Sequence, residues 1–203
     1  MISISSHRPL DQEPEIKRNQ LLAKRTWEMT FSRIIYFGVH EHELVSGKTS
    51  FVPSEEFPRI KDMMDMAGKQ RGFVAILNAD IVVTPDLRKL ERMMALRGKL
   101  CASSRRYHFD PNTCDFKNAE LGDDRGRDIF IARNDVWRDA ARVIPEQFRI
   151  SHQGFDGWIT DFFRRKYDSS FIDFTNRRCV FHPVHGNRKM PHAAEVATIA
   201  GIH

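Results

Sequence analysis

The sequence predicts an α/β fold, a three-layer sandwich with a mostly parallel central sheet. Three observations predict it. The run from Gly72 to Asp80 (GFVAILNAD) is apolar until it closes in a carboxylate, as expected of a strand covered on both faces. Thr84, Pro85 and Asp86 follow at once, a helix start made of a cap, a proline at the first helical position and an acid. Before that run, short apolar segments and amphipathic segments alternate, the order that builds parallel crossovers.

The elements follow in chain order. Ile2 and Ile4 alternate with Ser3 and Ser5, the strand period. From about Pro14 a helix is expected, with Ile16, Ala23, Trp27 and Phe31 on one face. Arg33 to Gly38 reads as a second strand ended by glycine, and the loop after it carries His40, Glu41, His42 and Glu43. Thr49 to Val52 suits a third strand. Ser54 is placed to cap a helix that turns Phe57, Ile60, Met63, Met64 and Ala67 inward and closes at Gly68. Pro58 fits that helix only in its first turn.

After the strand from Phe73 to Leu77, the helix begun at Thr84 buries Leu87, Leu90 and Met94 and stops at Gly98. Lys99 to Phe109 reads as one strand. Asp110 to Arg127 is polar, contains proline and glycine, and is too long for a plain turn, so it is placed to cover a site. Asp128 to Ala132 is a strand, and Asn134 caps a short helix through Ala141. Phe155 to Tyr167 is an amphipathic helix showing Phe155, Trp158, Ile159, Phe162 and Phe163. Strands at Phe171 to Phe174 and Cys179 to Phe181 lead to His182 and His185. Residues 187–203 carry little pattern and form a C-terminal tail to a domain of residues 1–186.

The 203 residues are 41% hydrophobic and 29% charged, which suits one soluble domain with a sizeable core. No apolar stretch reaches bilayer length. Cys101, Cys114 and Cys179 are odd in number without CxxC spacing, which points to a reducing, cytoplasmic setting and away from a zinc site or disulfide scaffold. Net charge is +5. The basic balance permits a polyanionic partner such as nucleic acid, although no basic helix or aromatic-interleaved RNA motif is present. No GxGxxG, Walker, GxSxG or HExxH pattern occurs.

In a parallel sheet, ligands bind beyond the carboxyl ends of the strands. His7 and Arg8, Glu41 and His42, and Asn78 and Asp80 all fall at such ends. A carboxylate closing an apolar run is costly to bury unpaired. A divalent ion is the expected partner of Asp80, and such an ion usually holds a phosphorylated ligand.

Asn78-Ala79-Asp80 resembles a variant of the DxD motif of glycosyltransferases with the glycosyltransferase-A fold, the Rossmann-like nucleotide-diphospho-sugar transferase architecture. The resemblance extends, in order, over roughly residues 2 to 186. It includes the first strand, a helix carrying Gln20 and Trp27, the second strand, the strand from Gly126 to Ile131, and the helix start at Phe155-Asp156-Gly157-Trp158. It implies a nucleotide-sugar donor, a UDP-sugar foremost, and Mn²⁺ or Mg²⁺ as cofactor. Asp80 would ligate the metal, with a C-terminal histidine completing the shell: His185 is favoured and His182 is the alternate. Asn78 would touch the ribose or a metal-bound water. Ser6, His7 and Arg8 would contact the nucleotide or its diphosphate, and Glu41 would accept from the base. Asp156 would be the base that activates a hydroxyl acceptor, giving inversion, with Asp161 as a lesser substitute. Its place at a helix N-terminus favours the charged carboxylate. Arg105 and Arg106 would face the acceptor, for which a hydroxylated base in DNA is one candidate. The motif departs from the family at Asn78, which lowers the local negative charge. Two other classes share the topology: a nucleotidyltransferase, which needs a glycine-rich basic loop where this chain has only Arg8, and an inactive nucleotide-sugar-binding module.

Overall fold

A computed structural model describes residues 1–11, 13–54, 57–122, 126–150 and 154–184. Its elements run β1 (Ile2–Ser6), α1 (Pro14–Thr30), β2 (Arg33–Phe37), β3 (Thr49–Val52), α2 (Ile60–Lys69), β4 (Phe73–Leu77), β5 (Val82–Val83), α3 (Asp86–Leu96), β6 (Cys101–Arg105), β7 (Tyr107–Phe109), β8 (Glu120–Leu121), β9 (Arg127–Arg133), α4 (Asn134–Ala141), α5 (Phe155–Tyr167), β10 (Phe171–Asp173) and β11 (Val180–Pro183). Seven strands form the central sheet in the order β10-β6-β9-β4-β1-β2-β3. The pairs β1–β2, β2–β3, β1–β4 and β6–β10 are parallel, and β9 alone runs against both of its neighbours. A second sheet, β5-β11-β7-β8, lies beside it.

Helices cover both faces. In β2, Ile34 and Tyr36 face the layer holding Trp27 of α1 and Phe31 just beyond it, while Ile35 and Phe37 face Met63 and Met64 of α2 and Phe163 of α5. This is the period-2 division of a doubly covered strand. Two buried indoles tie helices to strand ends or edges: Trp137 Nε1 donates to Val74 O at 3.0 Å and Trp27 Nε1 to Ile81 O at 2.6 Å.

Four local readings differ from the sequence expectation. Asn134 does not cap α4: it is the first residue of that helix, behind Arg133. In β1, whose strand period holds, the strand lies in the sheet interior and Ser3 and Ser5 are fully buried. Ser5 Oγ satisfies itself on Leu77 O at 2.6 Å, so the small serines permit close packing. Ser54 does not cap α2. That helix begins at Ile60 behind Arg59, because residues 58–60 pair instead with 148–150 through Ile60 N to Phe148 O (2.9 Å) and Ile150 N to Pro58 O (3.1 Å). The single strand expected over 99–109 breaks at a register shift by Arg105, and its second half joins the other sheet as β7. The polar stretch after it contributes the short strand β8.

Candidate functional site

The carboxyl ends of β1, β2, β3 and β4 share one edge of the sheet with the amino end of the reversed strand β9. Ser6, His7, Arg8, Glu41, Asn78 and Asp80 lie at or follow the ends of β1, β2 and β4 at this edge.

Beyond β1, α1 fixes the chain. Gln20 accepts from Arg8 N at 3.1 Å and donates to Arg8 O at 3.2 Å, as a neighbouring strand would. The Arg8 guanidinium then lies 5.9 Å from the Phe57 ring centre. Ser6 is buried. His7 is 2% exposed, edge-on to Tyr36 and Phe51, and neither ring nitrogen has a well-aligned hydrogen-bond partner. Burial holds its pKa below the ordinary value, against the pull of Glu41. Gly38 caps the ring: its φ is +142°, and a Cβ there would lie 2.8 Å from His7 Cε1. Glu41 accepts from Leu10 N at 3.4 Å, so one of its oxygens braces the loop after β1.

Beside these ends lies a cleft of about 410 Å³, lined by Phe37, Val52, Pro53, Ser54, Pro58, Arg59, Asp62 and Arg149. Its lining combines apolar side chains with the charged Arg59, Asp62 and Arg149. Arg59 grips Asp62 with two bonds of 2.9 Å, and Arg149 donates to Phe57 O at 3.0 Å.

After β4 the chain turns through a bond from Ile81 N to Asn78 O at 3.2 Å, pinned by the Trp27 indole on Ile81 O. Asp80 is thereby presented to β11, where His182 Nε2 lies 3.2 Å from Asp80 Oδ2. The His182 ring meets His108 of β7 edge-on at 5.4 Å. His185, the favoured ligand by sequence, lies outside the described residues, so the alternate His182 is the imidazole the structure places at Asp80. The Asp80 oxygen and His182 nitrogen are a donor mixture that suits Mn²⁺ better than Mg²⁺. Among the described residues no three His, Cys, Asp or Glu side chains gather into a metal-holding group. Asp80 and His182 are the pair at this edge that could hold a divalent ion.

Asp156 opens α5 one residue after Phe155. It accepts from Gly157 N at 2.8 Å and from Arg127 N at 3.4 Å. Burial pushes its carboxyl above the ordinary value, and the nearby Asp128 adds to the rise. The helix end favours the charged carboxylate, and desolvation outweighs those backbone bonds in moving the group upward. Arg127 is fixed by Ser103 Oγ at 3.0 Å and Asp173 Oδ2 at 2.6 Å. Although burial opposes it, the bonds from Arg127 and Thr175 bring Asp173 down to about 2.

Asp128 has no role in the sequence reading, yet it is 6% exposed and bonded to Asn78 Nδ2 at 2.6 Å and to Arg106 Nη1. The signal was available: like Asp80, it is a carboxylate attached to an apolar run. His108 was missed for lack of any local pattern, since only strand pairing brings it to His182. Asp161 is exposed and engaged with Arg165 at 3.6 Å, away from these contacts.

No family model and no curated protein matches the chain. Solved structures share its architecture. A putative glucose-1-phosphate thymidylyltransferase from Bacillus anthracis, in complex with sucrose, superposes with a TM-score of 0.50 at 11% identity, over 92% of this chain and 88% of that one. TarS 1-349 from S. aureus, in complex with UDP-GlcNAc, superposes with a TM-score of 0.54 at 9% identity, over 92% of this chain and 59% of that one. The fold is glycosyltransferase-A-like. The mostly parallel sheet between helical layers is the Rossmann-like architecture of nucleotide-diphospho-sugar transferases, as the sequence predicts. At these identities the likeness is one of fold, and this chain corresponds to under two thirds of the TarS segment.

Proposed function

We propose that this chain is a metal-dependent glycosyltransferase that moves a sugar from a nucleotide-diphosphate donor, a UDP-sugar foremost, to a hydroxyl acceptor with inversion. The observation that carries the reading is the meeting of Asp80 and His182 at 3.2 Å, at the sheet edge where such folds bind ligands. The two side chains would hold a divalent ion, Mn²⁺ or Mg²⁺, which when bound offsets the charge developing on the departing diphosphate.

The protein's own residues supply the rest. The cleft over Phe37 and Pro58 receives the nucleoside portion, and Arg8, held by Gln20, stands beside it. Asp156 takes the proton of the acceptor hydroxyl. The acceptor oxygen forms its bond to the anomeric carbon from one face as the bond from that carbon to the phosphate oxygen breaks on the other, and the electron pair leaves with the nucleoside diphosphate. The raised affinity of Asp156 for a proton suits this role: a carboxyl that ionises nearer neutrality is the stronger base.

The test is a panel of nucleotide-sugars with Mn²⁺, read as thermal stabilisation and as release of nucleoside diphosphate. Selective stabilisation with diphosphate release supports the reading. Absence of both across the panel overturns it.

Nucleotidyl transfer is the second reading, supported by the extent of the thymidylyltransferase likeness, 88% of that chain. It would release pyrophosphate from a nucleoside triphosphate. The loop after β1 tells against it, since between Ser6 and Glu13 it offers Arg8 as its one lysine or arginine.

A further inference from the structure

Asn78 closes the apolar run of β4, and its amide has two chemically opposite ends. Asp128 decides which end is spent. An ionised carboxylate only accepts hydrogen bonds, so the Asn78 atom 2.6 Å from Asp128 Oδ1 is the donor Nδ2. The carbonyl oxygen is the end left for anything else. The two residues are tied a second time through the backbone, Asn78 N to Asp128 O at 3.2 Å. The other Asp128 oxygen takes Arg106 Nη1. Gly126 leaves the room for that guanidinium, because a Cβ there would come within 3.0 Å of Arg106 Nη1.

This arrangement explains the departure from the DxD pattern. An aspartate at 78 would set two carboxylates against each other at hydrogen-bond distance, which neither could tolerate fully charged. Asparagine at 78 and aspartate at 128 are therefore matched: one supplies the neutral donor and the other the charge.

We propose that Asp128 is the positioning residue of the donor site. It supplies from β9 the carboxylate missing at residue 78 and fixes the Asn78 amide with its carbonyl oxygen presented to a hydroxyl or amide N–H of a nucleoside diphosphate. The proposal rests on the nucleotide-diphosphate reading above.

An exchange experiment tests it. The parent, Asn78→Asp, Asp128→Asn and the double variant are compared by melting temperature without ligand and by calorimetric titration with UDP and Mn²⁺. Each single change should weaken UDP about tenfold, and the double variant should return to within about threefold of the parent, the non-additivity of a coupled pair. Asn78→Asp alone should also lower the melting temperature, with recovery in the double. Should Asn78→Asp not fold, Asn78→Ala replaces it, and Asp128→Asn should then add no further loss of affinity. Strictly additive losses overturn the proposal. So does an Asp128→Asn protein that melts lower but binds UDP as the parent does, for then Asp128 only supports the fold. A parent that binds no nucleotide defeats the glycosyltransferase reading and the ligand half of this one, while the melting cycle still decides whether the two residues are matched.

Discussion

Asp80 and His182 meet side by side, Oδ2 to Nε2 at 3.2 Å; Asp80 lies in the turn between β4 of the large sheet and β5 of the small one, and His182 belongs to β11 of the small sheet. The contact lies where the chain passes from one sheet to the other. Asp80→Ala should abolish the Mn²⁺-dependent part of UDP stabilisation, measured as the difference in melting temperature with and without metal. His182→Ala should reduce it by about tenfold in affinity, the usual scale for one ligand or its close support.

Replacing Asp156 by asparagine should lower kcat by about 10²–10⁴-fold with nucleotide affinity kept. The folded carboxyl holds its proton to a higher pH than the ordinary 3.8. As pH rises through that raised value the base is freed, so parent kcat/KM should climb there and the variant should lack that limb. The same shift has a stability sign. A raised carboxyl pKa means folding weakens as pH climbs from 3.8 toward the folded value, so Asp156→Asn should melt no lower than the parent at neutral pH.

Trp27→Phe should cost about 1–3 kcal/mol in a denaturant titration, since it strands the buried Ile81 carbonyl. Ile81 follows Asp80 directly, so the variant should also lose metal-dependent nucleotide binding although it lies in a helix with no ligand contact. Equal UDP affinity with and without the indole would separate the helix from the site.

Gly38→Ala should destabilise by about 1–3 kcal/mol, because the added methyl meets His7 and the backbone is left-handed there. His7→Ala in the same chain should relieve the clash but not the backbone strain, so only part of the loss returns.

Under native conditions iodoacetamide should modify Cys114 alone. Cys101 and Cys179 are buried, and burial pushes both thiols up to about 12, so the reactive thiolate is scarce. Mass spectrometry of the labelled protein checks the stoichiometry.

Much of the fold was legible because its signals are local. The bounds of α1 and α5 follow from Pro14 and from the spacing of Phe155, Ile159 and Phe163, and β4 from its apolar run. What was not legible depends on distant partners. The reversal of β9 leaves no mark in its own seven residues, since an apolar strand reads alike in either direction. The late start of α2 is set by residues 148–150, and the split after Ser104 by a second sheet that sequence periodicity does not reveal. At the site, carboxylates and histidines at strand ends could be found by position. Asp128 required the further step of asking what a charge attached to an apolar strand is bonded to.

Strand β11 lies between β5 and β7, and both lose a partner without it. It is also the last of the described strands to leave the ribosome, and it brings His182 with it. Domains condense during synthesis as their segments emerge. A nascent chain can therefore lay down the parallel core early, yet it cannot pair His182 with Asp80 until β11 is translated, so that contact forms only after every described strand of the large sheet has emerged.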